Sequence, residues 1–426
     1  MLLIIYKRGS GKLDKKIILF FIFFFLFLIL FIALIFVSEY KNMQKLKLEY
    51  PNISKEAYAY RKTNLKIWAV NLIVSFLIPL LILTTGLSSK IKAFAENRTN
   101  NRFYIILIYL VLYILIDFIL TLPIRYYSGF VIKHRFGLSN QSIGRWAEIV
   151  FKEFGLNLVL SLLFMWFPFY LIYKSPNRWW LYLGLISIPV YFFSSFVSPM
   201  YIDPLFNKYT ALEDKELERD IKVLLEKAKV GDAKIYQVNK SADTKEMNAY
   251  MTGVLKSKRI VIWDTTIENL EREEVVAIAA HEIGHYVKGH IWKSIILGGI
   301  SSTLLLFLVD KTSLWLLKGS NGYFGFRHLY DIACLPLLIF VLNFYMFFAS
   351  PIVSTYSRQL EWQADKFELE LARNKEATAS SLIKLHEGSL ALPRPSNMYK
   401  IWYYSHPSCE ERVNFALSYE YENKLP

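Results

Sequence analysis

Long runs of apolar residues, broken by short polar links, dominate most of this chain. Residues 17–37 hold no polar or charged side chain and match the length of about 20 residues that a helix needs to cross a bilayer. Lys15-Lys16 precede this run and Ser38-Glu39 follow it. The run is too long for a signal-peptide core and no small-residue cleavage pattern follows promptly, so a retained anchor is expected. Further runs at 67–87, 103–124, 154–173, 179–197, 291–309 and 330–353 bring the expected count to about seven spans. Pro79, Pro168, Pro189 and Pro336 fall inside them, which spanning helices tolerate when neighbours satisfy the freed carbonyls. The pattern changes between 200 and 290. Leu217, Ile221, Leu224, Leu225 and Ala228 recur at helical spacing within 213–230. Residues 234–238 and 259–263 read as strands, and 248–252 as a third, with Gly253 suited to a turn. Residues 360–417 read as helical. The expected organisation is an N-terminal membrane region of about five spans (1–199), a polar catalytic segment with a small sheet (200–290), two more spans (291–353) and a C-terminal helical segment (354–426). The fold class is mostly α and polytopic.

Composition sharpens this picture. The 426 residues are 54% hydrophobic and 16% aromatic, more apolar than a water-soluble domain of this length. The net charge is +14, with Lys and Arg flanking nearly every run. No basic motif with interleaved aromatics is present, so anionic lipid headgroups are the expected partner and nucleic acid is not. Both faces are similarly basic, and the positive-inside rule leaves orientation open. Cys334 and Cys409 form no disulfide framework and no cysteine metal site. Asp117 and Asn343 lie within runs; they fit either a hydrated chamber or an interface they can reach by snorkelling.

The candidate chemistry sits at His281-Glu282-Ile283-Gly284-His285. Residues four apart share a helix face, so His281 and His285 can aim at one metal ion. Glu282 is placed to serve as general base toward a metal-bound water. Residues 271–280 read as an acidic first turn leading into a buried helix, and no Pro interrupts 265–290. On such a continuous helix His290 lies about 140° round from His285 and faces away from the metal, as a surface or packing residue.

A catalytic zinc site needs a third protein ligand. The H-E-x-x-H-x-x-G-x-x-H pattern is absent. Glu361 and Asp365 share a helix face four residues apart. One can bind zinc while the other accepts the outer N–H of a ligating histidine; a solvated acidic face is the plain alternative.

The chain resembles the CAAX prenyl protease 1 family of integral-membrane zinc proteases. The resemblance rests on LPIRYYSGFVIKHRFGLSNQS from Leu122, YIDPLFNKYTAL from Tyr201, MNAYMTG from Met247, RIVIWDTTI from Arg259, AAHEIGHYVKGH from Ala279, SRQLEWQADKF from Ser357 and YYSHPSCEERV from Tyr403. It implies about seven spans enclosing a water-filled chamber, closed at one end by a gluzincin-like zinc protease domain. It implies Glu361 as third zinc ligand beside His281 and His285, and Asp365 as the residue supporting them. It implies His406 as donor to the oxyanion, Arg412 as its support, and Asn248-Ala249 as the edge strand that receives substrate backbone. Met251 stands where the family commonly has Phe, and Cys409-Glu410 where aliphatic residues are frequent. Those departures touch pocket shape and leave the ligands intact. The expected activity is removal of the C-terminal tripeptide from prenylated CAAX-type substrates, by a monomer with one zinc ion. The active site is expected to face the cytoplasm, from a bacterial inner membrane or a eukaryotic endoplasmic reticulum. Competing readings are a quality-control protease of membrane proteins, whose substrate carries no lipid, and a scaffold that keeps zinc for structure. Glu282 argues against the scaffold, because a structural site has no use for a base. A transporter reading lacks an inverted repeat.

Overall fold

The computed structural model describes residues 11–421. Seven of its helices are long and apolar enough to span a membrane: Lys15–Glu49, Lys55–Thr84, Arg102–Arg135, Ile143–Lys174, Trp179–Leu205, His290–Gly319 and Ile332–Ala372. Their sequence explains both of their faces. In the first, Ile17, Phe24, Leu28, Phe31 and Ile35 form one buried stripe, while Ile18, Ile22, Phe23, Leu26, Ile29 and Leu30 are exposed. A helix apolar on every side, with half its apolar side chains uncovered, is built for lipid. The buried stripe packs on aromatic rings of other spans. Phe24 meets Phe76 edge-on at 4.8 Å, and Phe31 meets Phe347 at 5.1 Å.

Where the spans break, a local cause is visible. The fourth stops at Phe164 and restarts at Trp166. Pro168 lacks the N–H that would bond the Phe164 carbonyl. The third passes from α-helix into a π-helical turn at Tyr127–Ile132, around Ser128-Gly129. Asn343 donates to the Ser75 carbonyl at 2.9 Å and so joins two spans. Asp117 is half-buried and does not line the cavity that His281, His285 and Glu361 share.

The polar segment folds into a four-stranded sheet of order β1-β2-β4-β3: β1 Tyr209–Ala211, β2 Lys234–Val238, β3 Ala249–Thr252 and β4 Arg259–Trp263. β2 and β4 are parallel; β1 and β3 are antiparallel edges, with Ala249 opposite Ile262 and Thr252 opposite Arg259. β1 was not expected. Its three residues are too few to show an alternating pattern. The amphipathic helix is Lys215–Lys227, started by Asp214, whose carboxylate accepts from the Glu216 and Leu217 amides. It buries Leu217, Ile221, Leu224 and Leu225 in a core shared with Val275, Ala279, Ala280 and Ile283.

Two expectations about helices need correction. The helix carrying the histidines is Arg272–Val287, separate from a short helix Asp264–Asn269. It starts at a capping box, where the Glu271 amide donates to Glu274 at 2.7 Å. It ends before Gly289, whose φ of +67° suits glycine alone without strain, and a new helix begins at His290. No proline was needed to break it. The helix Leu335–Ala372, in contrast, runs without interruption through the 353–354 junction. The last span and the segment carrying Glu361 and Asp365 are therefore one rod.

Candidate active site

Helix Arg272–Val287 and the distal half of Leu335–Ala372 cross at Gly284. A Cβ there would stand 3.1 Å from the Phe367 ring and 3.3 Å from the Ala364 carbonyl. Glycine lets the two backbones approach closely. That approach brings Glu361 up to the histidines. Glu361 Oε2 lies 3.3 Å from His281 Nε2, and Oε1 lies 3.3 Å from His285 Nε2. The two Nε2 atoms are 3.0 Å apart.

Those distances test whether a metal fits. Glu361 Oε2 is buried without a hydrogen-bond partner, although an imidazole nitrogen stands beside it. Three lone-pair atoms converge, within 4.8 Å of one another. A cation between them satisfies all three. Two nitrogens and one carboxylate oxygen form a donor set suited to a divalent transition metal. The surroundings call for positive charge as well. Burial opposes a charge on His281, yet hydrogen bonds that its ring donates to Asp365, Glu361 and Glu368 outweigh it and lift the imidazole pKa well above its usual value.

The outer side of His281 is densely held. Its Nδ1 is 3.0 Å from Asp365 Oδ1 and 3.4 Å from Glu368 Oε2. Arg412 grips Asp365 with both prongs, Nε to Oδ2 at 3.0 Å and Nη2 to Oδ1 at 2.6 Å. Arg412 Nη2 also lies 3.3 Å from His281 Nδ1, so Arg412 acts on the site mainly through Asp365 and also stands directly against the ligand ring. It occupies the first turn of Cys409–Ser418, a helix started by a Ser408–Glu411 capping box. Glu368 was missed in the sequence. Its signal was available: Glu361, Asp365 and Glu368 fall at i, i+4 and i+7 on one helix face.

His290 corrects an expectation. It is 3% exposed, and its Nδ1 lies 2.9 Å from His285 Nδ1. The expected 140° offset assumed one continuous helix, and the left-handed turn at Gly289 removes that premise.

Glu282 and His406 face the same cavity of about 660 Å³ as the histidines and Glu361. Burial pushes the Glu282 carboxyl pKa up, and the two imidazoles pull it back. His406 Nε2 lies 3.5 Å from Glu361 Oε1, and its Nδ1 is 2.9 Å from Ser405 Oγ. Arg358, one turn before Glu361, donates to the carbonyls of Tyr404 at 2.6 Å and Lys400 at 3.1 Å. It holds the end of helix Asn397–Tyr403, from which the His406 loop departs.

β3 forms another part of the cavity wall. Asn248, Ala249, Tyr250, Met251 and Thr252 all line the cavity. Asn248 is pinned through its backbone, its amide donating to Thr266 Oγ1 at 2.8 Å and its carbonyl accepting from the same hydroxyl at 2.8 Å. Its side-chain oxygen accepts from the Ala249 amide at 2.8 Å, which leaves the NH₂ end for a ligand. Because β3 is an edge, its outer backbone groups are free of sheet partners among the described residues.

Residues 211–420 match the model of peptidase family M48, and residues 50–208 match the model described as CAAX prenyl protease N-terminal, five membrane helices. The uncharacterized metalloprotease YhfN of Bacillus subtilis (strain 168) is 31% identical over 365 residues, 85% of each chain. The chain belongs to peptidase family M48. This M48 member is also similar to the CAAX prenyl protease 1 homolog of Homo sapiens, 28% identical over 351 residues and 72% of each chain. The crystal structure of S. mikatae Ste24p superposes with a TM-score of 0.78 at 27% identity, covering 92% of this chain and 97% of that one. The M48 chain is a multi-pass membrane metalloprotease, and peptide is its substrate class.

Proposed function

We propose that this M48 protease is a zinc endopeptidase that cuts near the C-terminus of a peptide presented at a membrane surface. The convergence of His281, His285 and Glu361 beside Glu282, in a cavity also lined by an open strand edge, carries the reading. The three residues would hold zinc. When bound, zinc supplies Lewis acidity toward water and the scissile carbonyl.

The chain's own groups do the rest. The substrate backbone adds to β3 as a further strand, and the Asn248 NH₂ fixes its register. Glu282 takes a proton from the attacking water and returns it to the leaving amine. The His406 Nε2–H, oriented through Ser405, donates to the carbonyl oxygen as charge builds on it. Asp365, Glu368 and Arg412 hold the His281 ring and its tautomer.

The preferred substrate in this reading is a prenylated CAAX-type peptide, as in the human relative's name. The active site faces the cytoplasm, the chain works as a monomer, and the membrane is the inner or plasma membrane of a bacterium or the endoplasmic reticulum of a eukaryote. A second reading is a protease of damaged membrane proteins acting on plain peptide. The cavity wall favours it in one respect: Ser194, Ser195, Ser294 and Ser357 give it a polar side beside Ile291 and Ile295. Mass spectrometry of products from farnesylated and unmodified versions of one peptide separates the two. Cleavage of the farnesylated peptide alone supports the first reading, and equal cleavage of both supports the second.

A further inference from the structure

The two histidine ligands are oriented by different chemistry. The ring of His281 hangs on carboxylates, Asp365 and Glu368. Among the described residues, no carboxylate is paired with His285 Nδ1; its neighbour is a second imidazole, His290, at 2.9 Å. His290 in turn reaches Gln363 Oε1 through Nε2, at a long 3.4 Å.

Counting protons decides the roles along this line. If His285 gives its Nε2 lone pair to the metal, its Nδ1 must carry the hydrogen. Among the described residues, His290 Nδ1 is the acceptor placed against that hydrogen, so it must present a lone pair. A neutral His290 then carries its own hydrogen on Nε2, where the Gln363 carbonyl oxygen accepts it. Each atom in the row has one role, and no ionised side chain takes part.

Resting on the metal reading above, we propose that His290 is a positioning residue: it accepts the Nδ1–H of His285 and fixes that ligand's tautomer and ring plane, with Gln363 fixing His290 in turn. The fold builds this contact deliberately. Gly289, at φ +67°, ends one helix and turns the chain so that the first residue of the next folds back on His285. His290 is 3% exposed, at the wall of the cavity, with its Nδ1 held against His285. Gln363 sits two residues beyond Glu361 on the same rod, so one helix delivers a ligand and the far anchor of another ligand.

The test measures zinc affinity by chelator competition on the purified full-length chain. Asparagine places an oxygen near the position of His290 Nδ1, while leucine offers no acceptor. His290→Leu is expected to bind zinc about 10- to 100-fold more weakly, the usual effect of removing such an outer partner. His290→Asn is expected to stay within about threefold of wild type, and Gln363→Leu, at an exposed position, to lose a few-fold. The visible spectrum of the cobalt-substituted chain should change in the leucine variant and not in the asparagine variant. Equal zinc affinity in His290→Leu and wild type overturns the proposal. So does equal loss in the asparagine and leucine variants, which would make His290 a packing residue. A raised KM with unaltered zinc affinity would assign it to substrate and overturn the proposal too. Failure of the wild-type chain itself to bind zinc would instead remove the metal reading.

Discussion

Two helices make this site, and they are specified in opposite ways. Arg272–Val287 is short and locally defined. A Glu271–Glu274 capping box starts it, Gly289 ends it, and the pentapeptide within it holds two ligands and a base. Leu335–Ala372 is 38 residues long and begins as a membrane span; its last turns hold Glu361, Asp365 and Glu368. The apolar run ends at Val353, but the helix passes through that point without a cap or a break, so its backbone does not mark where the lipid-facing part stops and the catalytic part starts. The short helix carries its chemistry in its own sequence. The long one acquires chemistry only where the two cross, at Gly284 and Phe367. A membrane span that continues as the wall of a metal site also couples the two parts rigidly.

The comparison breaks most completely at the long helix. Glu361→Ala should leave the chain folded in the membrane, drop zinc content well below one per chain and abolish measurable peptide cleavage. Metal analysis and a cleavage assay on one preparation check it. If the short helix sufficed alone, zinc would remain bound. Next is Glu282→Gln, which should keep zinc and lose about 10³–10⁴ in turnover, the upper range for a general base. Turnover near wild type would take that role from Glu282.

How much of this contrast the sequence reveals follows from the same physics. The spans were legible because apolar runs of about 20 residues have few other uses. The pentapeptide was legible because its spacing lies within one helix. The partnership of Glu361 with His281 is a tertiary fact, and composition and spacing left its role shared with Asp365 until the family resemblance assigned it. His290 was misjudged because Gly289 can stop a helix as well as a proline can, and its left-handed φ is invisible in the sequence. Glu368 and Arg358 were missed because an acidic residue or an arginine on a helix is normally solvated. β1 was too short to show a period.

Smaller effects sharpen the comparison at its edges. His406→Ala should lower kcat by about 10²–10³ with zinc retained, the usual loss of one oxyanion donor. A change confined to KM would place His406 in substrate binding. Gly284→Val forces the two helices apart at their crossing. It should destabilise the chain by about 1–3 kcal/mol, read as a lower midpoint in thermal unfolding, with weaker zinc binding alongside. An unchanged midpoint would mean that the crossing is looser than the 3.1 Å contact implies.

The most direct measurement strips the purified full-length chain of metal with a chelator, then titrates zinc back while following hydrolysis of one peptide. The account predicts no cleavage in the stripped protein and full recovery at one zinc per chain. Undiminished cleavage by the metal-free protein would contradict it.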